Sequence, residues 1–170
     1  MDRAATTVHF ICGPVGAGKT TYALKLCEAH GAVHFSIDEW MVTLFSADTP
    51  PTPDWKWIIE RVGRSEAQIV AMAIRLGRLN VPSVLDLGFL GRDQRDRVAG
   101  AVAAAGLVPR LHVLDIDPGE RWRRVEARNA QQGETYRLAV TRPMFDFVEQ
   151  LWQRPSPEEM ATLDGRMLAA

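Results

Sequence analysis

The residues of this chain whose types and spacing most clearly indicate chemistry form a glycine-rich stretch, GPVGAGKTT. It matches the pattern G-x-x-x-x-G-K-[ST], which is typical of loops that hold nucleotide phosphates between a strand and a helix. The glycines let backbone N–H groups turn toward the phosphates, the lysine reaches the β- and γ-phosphates, and the threonine hydroxyl can bind Mg²⁺. The predicted nucleotide-binding residues are Gly13, Pro14, Val15, Gly16, Ala17, Gly18, Lys19, Thr20 and Thr21.

Aspartates that follow short apolar runs form a second group of candidates. Asp38, in SIDEW, could accept the proton of an attacking hydroxyl or could cap the helix that follows, and Glu39 is the adjacent carboxylate that could be confused with it. Asp86, at the end of SVLD, is predicted to hold Mg²⁺ through water or to orient a catalytic arginine, although it could also be a turn residue before Gly88. Asp115 ends the comparable run HVLD and is the rival for the metal role.

Arginines are clustered in the segment ERWRRVEARN. Arg121, Arg124 and Arg128 are spaced i, i+3 and i+7, which places three guanidinium groups on one helical face. Like charges at this spacing repel each other, so an anion such as a polyphosphate is the predicted partner of the three guanidinium groups. The alternative is a solvated helix face that nearby acidic residues neutralise. Because a polar, glycine-containing segment follows, residues 121–140 are predicted to form an arginine-bearing lid.

Other candidates belong to the side where a phosphoryl acceptor would bind. Arg92 and Arg95 fall in the first turns of a predicted helix, where cations are unfavourable, so they indicate either an anionic substrate or ordinary surface positions. Residues 40–80 are predicted to form a helical insertion on this side. Its aromatic side chains either line a pocket or belong to the core: Trp40, Phe45, Trp55 and Trp57. The four histidines are scattered, and none is assigned a role.

Strand and helix patterns alternate along the chain. The predicted strands cover residues 7–12, 32–37, 83–88 and 110–117. Helices are predicted over residues 18–30, 55–80 with a possible break at Gly63, 91–105, from DPGE at 117–120 onward, and from Thr141 onward. This alternation predicts an α/β domain with a mostly parallel sheet, whose ligands bind at the carboxyl ends of the strands.

The composition limits the class of partner. With 20 basic and 21 acidic residues the net charge is −1, so the chain has no general basic field that would attract nucleic acid or an anionic membrane. Its 170 residues suit a single domain, 1–170. The two cysteines have no metal-ligand spacing, and the N-terminal apolar run is too short for a signal peptide or a membrane span. We therefore expect a cytoplasmic protein without a membrane partner.

The order of these motifs resembles that of the small P-loop kinase-like family, which includes polynucleotide kinase domains, zeta-type toxins and chloramphenicol phosphotransferase. The motifs are GPVGAGKTT, SIDEW, LDLGFLGRDQR, RRVEARN and RPSPEE, and they span nearly the whole chain. The resemblance implies a three-layer kinase-like P-loop NTPase fold with four or five strands, the last faintly suggested by MATLD at 160–164. It also implies that Asp38 is the general base and that Arg124 and Arg128 contact ATP phosphates.

We expect an ATP-dependent and Mg²⁺-dependent kinase that transfers the γ-phosphoryl group to a hydroxyl of a small molecule, such as an antibiotic, a sugar or a nucleotide derivative. One alternative is a polynucleotide 5′-hydroxyl kinase, which is disfavoured because DLGFLGR stands where that group shows a Thr-Asn pair. The other is an ATP-binding or ATPase regulatory module without an acceptor. The guanine-selecting pattern Asn-Lys-x-Asp is absent, and the chain is short for a ring-forming ATPase. The sequence does not indicate an oligomeric state.

Overall fold

Alternating strands and helices build a three-layer α/β fold, seen here in a computed structural model that describes residues 5–52, 54–131 and 139–168. The strands are β1 (Thr7–Cys12), β2 (Val33–Ser36), β3 (Ser83–Asp86), β4 (Val108–Leu114) and β5 (Arg166–Leu168). All pairings are parallel, and the strand order is β2-β3-β1-β4-β5. The central strand β1 is therefore flanked by β3 and β4, and the loop that follows it lies at the middle of the carboxyl edge.

The helices connect the strands on both faces of the sheet. They are α1 (Lys19–His30), α2 (Ile37–Phe45), α3 (Trp55–Arg78), α4 (Arg92–Ala104), α5 (Pro118–Gln131), α6 (Arg142–Leu151) and α7 (Pro157–Thr162), with a short 3₁₀ helix at Ser46–Asp48. Buried residues of α1 pack with Ile11, Val84 and Leu114. Residues of α3 and α4 pack with Phe10 and Leu111 in the other cluster. The sheet therefore separates two apolar layers, as the sequence predicts.

Two details differ from the sequence-based prediction. The predicted break at Gly63 is wrong, because α3 continues through it. One exposed glycine costs about 1 kcal/mol in a helix, which a 24-residue helix with a buried face tolerates. The fifth strand is β5 at Arg166–Leu168, whereas α7 occupies most of residues 160–164. A capping box between Ser156 and Glu159 starts a helix there.

Some predictions about the whole chain are not decided by these elements. Among the described residues, no helix has the length and apolar character needed to cross a membrane. The single domain over 1–170 stays a prediction. Of the predicted lid, residues 132–138 lie outside the described part of the chain.

Candidate functional site

The glycine-rich loop leads from the buried end of β1 into the first turn of α1. Gly16 has a φ of 80°, and a Cβ atom there would lie 2.6 Å from the carbonyl oxygen of Arg121, so only glycine fits. Gly18 is the N-cap of α1, and within the described residues no side chain caps this helix. The N–H groups at this helix N-terminus are therefore left for an anion.

Lys19 and Thr20 begin α1 on the carboxyl edge of the sheet. The Lys19 ammonium donates a hydrogen bond to the carbonyl oxygen of Pro14, 3.1 Å away, and so lies over the loop. The Thr20 hydroxyl donates to Oδ2 of Asp86 at 2.7 Å. The structure therefore brings the Asp86 carboxylate to the Thr20 hydroxyl, next to Lys19, although Thr20 and Asp86 are 66 residues apart in the sequence.

Asp86 is buried, with 6% of its surface exposed, yet its surroundings favour the ionised form. Burial by itself would raise the pKa of Asp86, but His34, Lys19 and the Thr20 hydroxyl outweigh it and bring the pKa below the usual value. Oxygen ligands of this kind suit Mg²⁺, which proteins bind through one or two side chains, with water and substrate phosphates completing the shell. Within residues 5–52, 54–131 and 139–168, no group of three or more His, Cys, Asp or Glu side chains is placed to hold a metal.

Asp115, the rival of Asp86, has a different environment. Its Oδ2 forms an ion pair with Arg154, whose side chain is largely exposed. It also lines a cavity of about 520 Å³ at the end of β4, together with Trp152 and Glu149. Among these two aspartates, it is Asp86 that contacts the Thr20 hydroxyl.

Asp38 lies in the first turn of α2, directly after β2. The N-cap of α2 is Ser36, whose side chain accepts the hydrogen bond from the backbone N–H of Glu39 at 3.3 Å. The capping role that was the alternative for Asp38 thus belongs to Ser36. Asp38 and Glu39 are both exposed at the carboxyl end of the edge strand, two strands from the phosphate loop.

Arg95 is in the core and does not face a ligand, so the predicted substrate contact is wrong for this residue. It is fully buried and pairs with both carboxylate oxygens of Glu159, at 2.8 Å and 3.2 Å. Its Nη1 also donates to the carbonyl oxygens of Phe89 and Leu90, which follow β3. The guanidinium charge of Arg95 is tolerated at the start of α4 because Glu159 neutralises it and the two carbonyl oxygens accept its remaining hydrogen bonds. Arg92, by contrast, is exposed and pairs with Asp96.

The three arginines of α5 that are predicted to share one face, Arg121, Arg124 and Arg128, do not share one environment. Arg121 is buried and donates to the carbonyl oxygen of Val15 at 3.2 Å and to Glu149 at 2.6 Å, so it braces the phosphate loop rather than facing a ligand. This placement differs from the predicted common face for all three.

Arg124 and Arg128 lie farther along α5. The Arg124 side chain is partly exposed and pairs with Glu120 at 3.0 Å. Nε of Arg128 is buried and makes no hydrogen bond to any described residue. Both side chains precede the lid segment at 132–138, which is outside the described residues.

The aromatic residues of the insertion divide between core and surface. Trp40 is half-buried and packs edge-on against Phe35 beside the core. Trp57 stacks with Arg61, whose guanidinium carbon lies 3.8 Å from the ring centre. Trp55 is 55% exposed and meets Phe147 of α6 edge-on. The structure therefore supports the core interpretation for Trp40.

A comparison with protein-family models finds a match to the family AAA_33, described as an AAA domain, over residues 8–151. The chain belongs to this family. Its fold is that of the small P-loop kinase-like proteins, as the motif order predicts. A comparison with curated proteins found no match.

Solved structures share the fold of this AAA_33 chain at low sequence identity. A sugar kinase from Janibacter sp. HTCC2649 aligns with a TM-score of 0.67 and 15% identity, covering 96% of this chain and 84% of that one. Kti12 from Chaetomium thermophilum, in complex with ADP-AlF3, aligns with a TM-score of 0.66 and 18% identity, covering 95% and 88%. A chain of the Pnkp1/Rnl/Hen1 RNA repair complex aligns with a TM-score of 0.67 and 16% identity, but this chain spans only 45% of it.

Sequence reasoning missed two residues at the site of this AAA_33 chain. Gln153 accepts a hydrogen bond from the backbone N–H of Arg92 and donates its own N–H to the carbonyl of Leu90, so it holds the turn before α4. His34 lies beside Asp86, with Nε2 3.9 Å from Oδ2. Strand alternation puts His34 on the same face as Ser36, but the partner across the sheet cannot be inferred without the strand order.

Proposed function

We propose that this protein is a phosphotransferase that moves the γ-phosphoryl group of ATP to a hydroxyl of a small molecule. The observation that carries the proposal is the Thr20–Asp86 hydrogen bond beside a phosphate loop, with Asp38 on the same edge of the sheet. The family and fold support nucleotide binding. Phosphoryl transfer and the acceptor are our inference.

Each part of the proposed site has a role in binding ATP. The amides of residues 13–21, together with Lys19, hold the phosphates. Thr20 and Asp86 are the residues that would hold Mg²⁺, which offsets phosphate charge when it is bound. Arg124 and Arg128 would add positive charge over the transferred group, which requires Arg124 to exchange Glu120 for phosphate.

Asp38 is proposed as the general base. As the acceptor oxygen attacks the γ-phosphorus, its proton passes to the Asp38 carboxylate. The bond between the γ-phosphorus and its bridging oxygen breaks, and ADP leaves with that electron pair. Because Ser36 caps α2, the position of Asp38 is not required for the helix start.

A small-molecule acceptor fits the near-neutral charge of the chain better than a polynucleotide does. The sugar kinase among the similar structures is in line with this class, while the RNA repair complex keeps a 5′-hydroxyl end as the second acceptor to test. The likeness to Kti12, which was solved in complex with ADP-AlF3, supports nucleotide binding and is also compatible with one further candidate, a nucleotide-binding module without an acceptor.

The test is a screen with labelled ATP against sugars, sugar acids, nucleosides, hydroxyl-bearing antibiotics and a 5′-hydroxyl oligonucleotide. Asp38→Asn should retain ATP binding and lose about 10²- to 10⁴-fold in transfer rate, as expected for loss of a general base. Lys19→Ala should lose ATP binding. Full transfer by the Asp38→Asn protein would refute the base assignment, and binding without any transfer would favour the regulatory module.

A further inference from the structure

His34 lies next to the proposed metal side of the site. In the register between β2 and β3, Ser36 is opposite Asp86. Because side chains alternate along a strand, His34 is on the same face of the sheet as Ser36 and Asp86. Its Nε2 atom is 3.9 Å from Oδ2 of Asp86, which is within ion-pair range but longer than a hydrogen bond.

The Nε2 atom of His34 is buried and makes no hydrogen bond within the described residues. Buried polar atoms in folded proteins are almost always paired, so an unpaired one calls for a specific explanation. The charged group within ion-pair range of this atom is the Asp86 carboxylate. The imidazole is thus placed to support that carboxylate from the β2 side.

The position of the Asp86 carboxylate matters because it determines how the Thr20 hydroxyl is oriented. A threonine that binds a metal through an oxygen lone pair keeps its proton, and here that proton is donated to Asp86 at 2.7 Å. The carboxylate therefore sets the direction of the Thr20 lone pairs. Ser36 is opposite Asp86 in the register, and its hydroxyl oxygen accepts the N–H of Glu39. His34, the next residue of β2 on this face, lies within ion-pair range of the Asp86 carboxylate.

We propose that His34 is a positioning residue that holds the Asp86 carboxylate where it receives the Thr20 hydroxyl, and that it thereby sets the affinity of the nucleotide complex for a divalent metal. The inference rests on the proposed metal role of Thr20 and Asp86, but it does not depend on phosphoryl transfer. A nucleotide-binding module without an acceptor would use His34 in the same way.

The experiment measures Mn²⁺ binding by electron paramagnetic resonance in the presence of a non-hydrolysable ATP analogue. His34→Phe keeps a flat ring but has no donor, and it should weaken Mn²⁺ binding about 10-fold, the lower end of the loss typical when an outer partner of a metal site is removed. His34→Gln keeps an N–H donor and should recover most of the affinity. Binding of the analogue in EDTA should be unchanged in both variants.

Two further variants keep the result interpretable. His34→Val also lacks a donor and suits a strand, so it tests the same point if His34→Phe does not fold. His30→Gln, at the exposed end of α1, is the matched control and should bind Mn²⁺ like the wild type.

Two results would overturn the positioning role. One is wild-type Mn²⁺ affinity in the variants that lack a donor. The other is an equal loss of metal-free nucleotide binding in all His34 variants, which would mean that His34 only supports packing. A failure of the proposed function would show itself differently, because the wild-type protein would then bind no nucleotide. The two failures are therefore distinguishable by the wild-type measurement.

Discussion

A buried pair of histidines makes the stability of this fold sensitive to acid. His9 on β1 and His112 on β4 are 2% and 3% exposed. Nδ1 of His9 lies 2.9 Å from Nε2 of His112, and the Tyr22 hydroxyl lies 2.9 Å from Nδ1 of His112. Two neutral rings complete this chain of hydrogen bonds, because a neutral imidazole has one donor and one acceptor. Two added protons would leave N–H facing N–H.

The pKa values give the size of the effect. Burial, with the charge of the neighbouring His112, lowers the pKa of His9 to about 3. Burial, with Arg166 and Arg110, lowers the pKa of His112 to about 4. In the unfolded chain both histidines have a pKa of about 6.5. The unfolded state therefore binds protons that the folded state does not, so this contribution to stability is complete above pH 6.5 and is lost as the pH falls toward 4. At pH 5 the loss is about 2 kcal/mol for each histidine, or about 4 kcal/mol together.

Urea unfolding followed by tryptophan fluorescence at pH 7.5 and pH 5.0 measures this loss. The wild type should lose about 4 kcal/mol of unfolding free energy between the two pH values. In His9→Gln/His112→Gln the difference between the two pH values should shrink by that amount, even if the variant is less stable at pH 7.5. His30, whose ring centre lies 5.2 Å from that of His9, contributes in a minor way to the lowered pKa of both buried histidines, so His30→Gln should reduce the pH difference by less than the double variant does.

An unchanged pH difference in the double variant would refute the explanation, because the acid sensitivity would then come from other groups. Imidazole NMR signals provide a second check. Those of His9 and His112 should show no protonation in the folded protein down to pH 5.

Two other predictions concern single side chains. Arg95→Met should lower the free energy of unfolding by about 3–5 kcal/mol in a denaturant titration, because it leaves Glu159 buried without its partner. Arg92→Met is the control and should have nearly the wild-type stability, since Arg92 is exposed. Equal losses of stability in the two variants would contradict the role of the buried ion pair. Asp86→Asn should weaken Mg²⁺-dependent ATP binding about 10-fold or more, the size of loss expected at a metal site. Asp115→Asn should leave this binding unchanged. A larger loss in Asp115→Asn than in Asp86→Asn in a metal titration would show that the metal role belongs to Asp115.

Much of the local structure could be predicted from short-range signals. The pattern DPGE predicts a helix start, and in the structure Asp117 accepts hydrogen bonds from the N–H groups of Gly119 and Glu120. The strand, loop and helix around residues 7–30 were predictable for the same reason. In each case, the groups that satisfy one another lie within a few residues.

The errors at the candidate site concern groups whose partners are far away in the chain. A cation at the start of α4 suggested a ligand or the surface, but Arg95 is neutralised by Glu159, which is 64 residues later. His34 had no assigned role because its relation to Asp86 depends on the pairing of β2 with β3. Such partners are brought together by the tertiary fold, and no local pattern records them.

The sequence by itself determined that a phosphate loop joins a buried strand to a helix in an α/β fold, because backbone geometry, glycine spacing and helix capping act locally. Only the tertiary structure decided which aspartate accompanies Thr20. Asp86 and Asp115 each end a similar apolar run, and both β3 and β4 lie beside β1, so neither the sequence pattern nor the strand order separates the two. Side-chain alternation decides between them, because Asp86 lies on the face of the sheet that α1 covers. On β4 it is Leu114 whose side chain lies on that face, and the next residue, Asp115, pairs with Arg154.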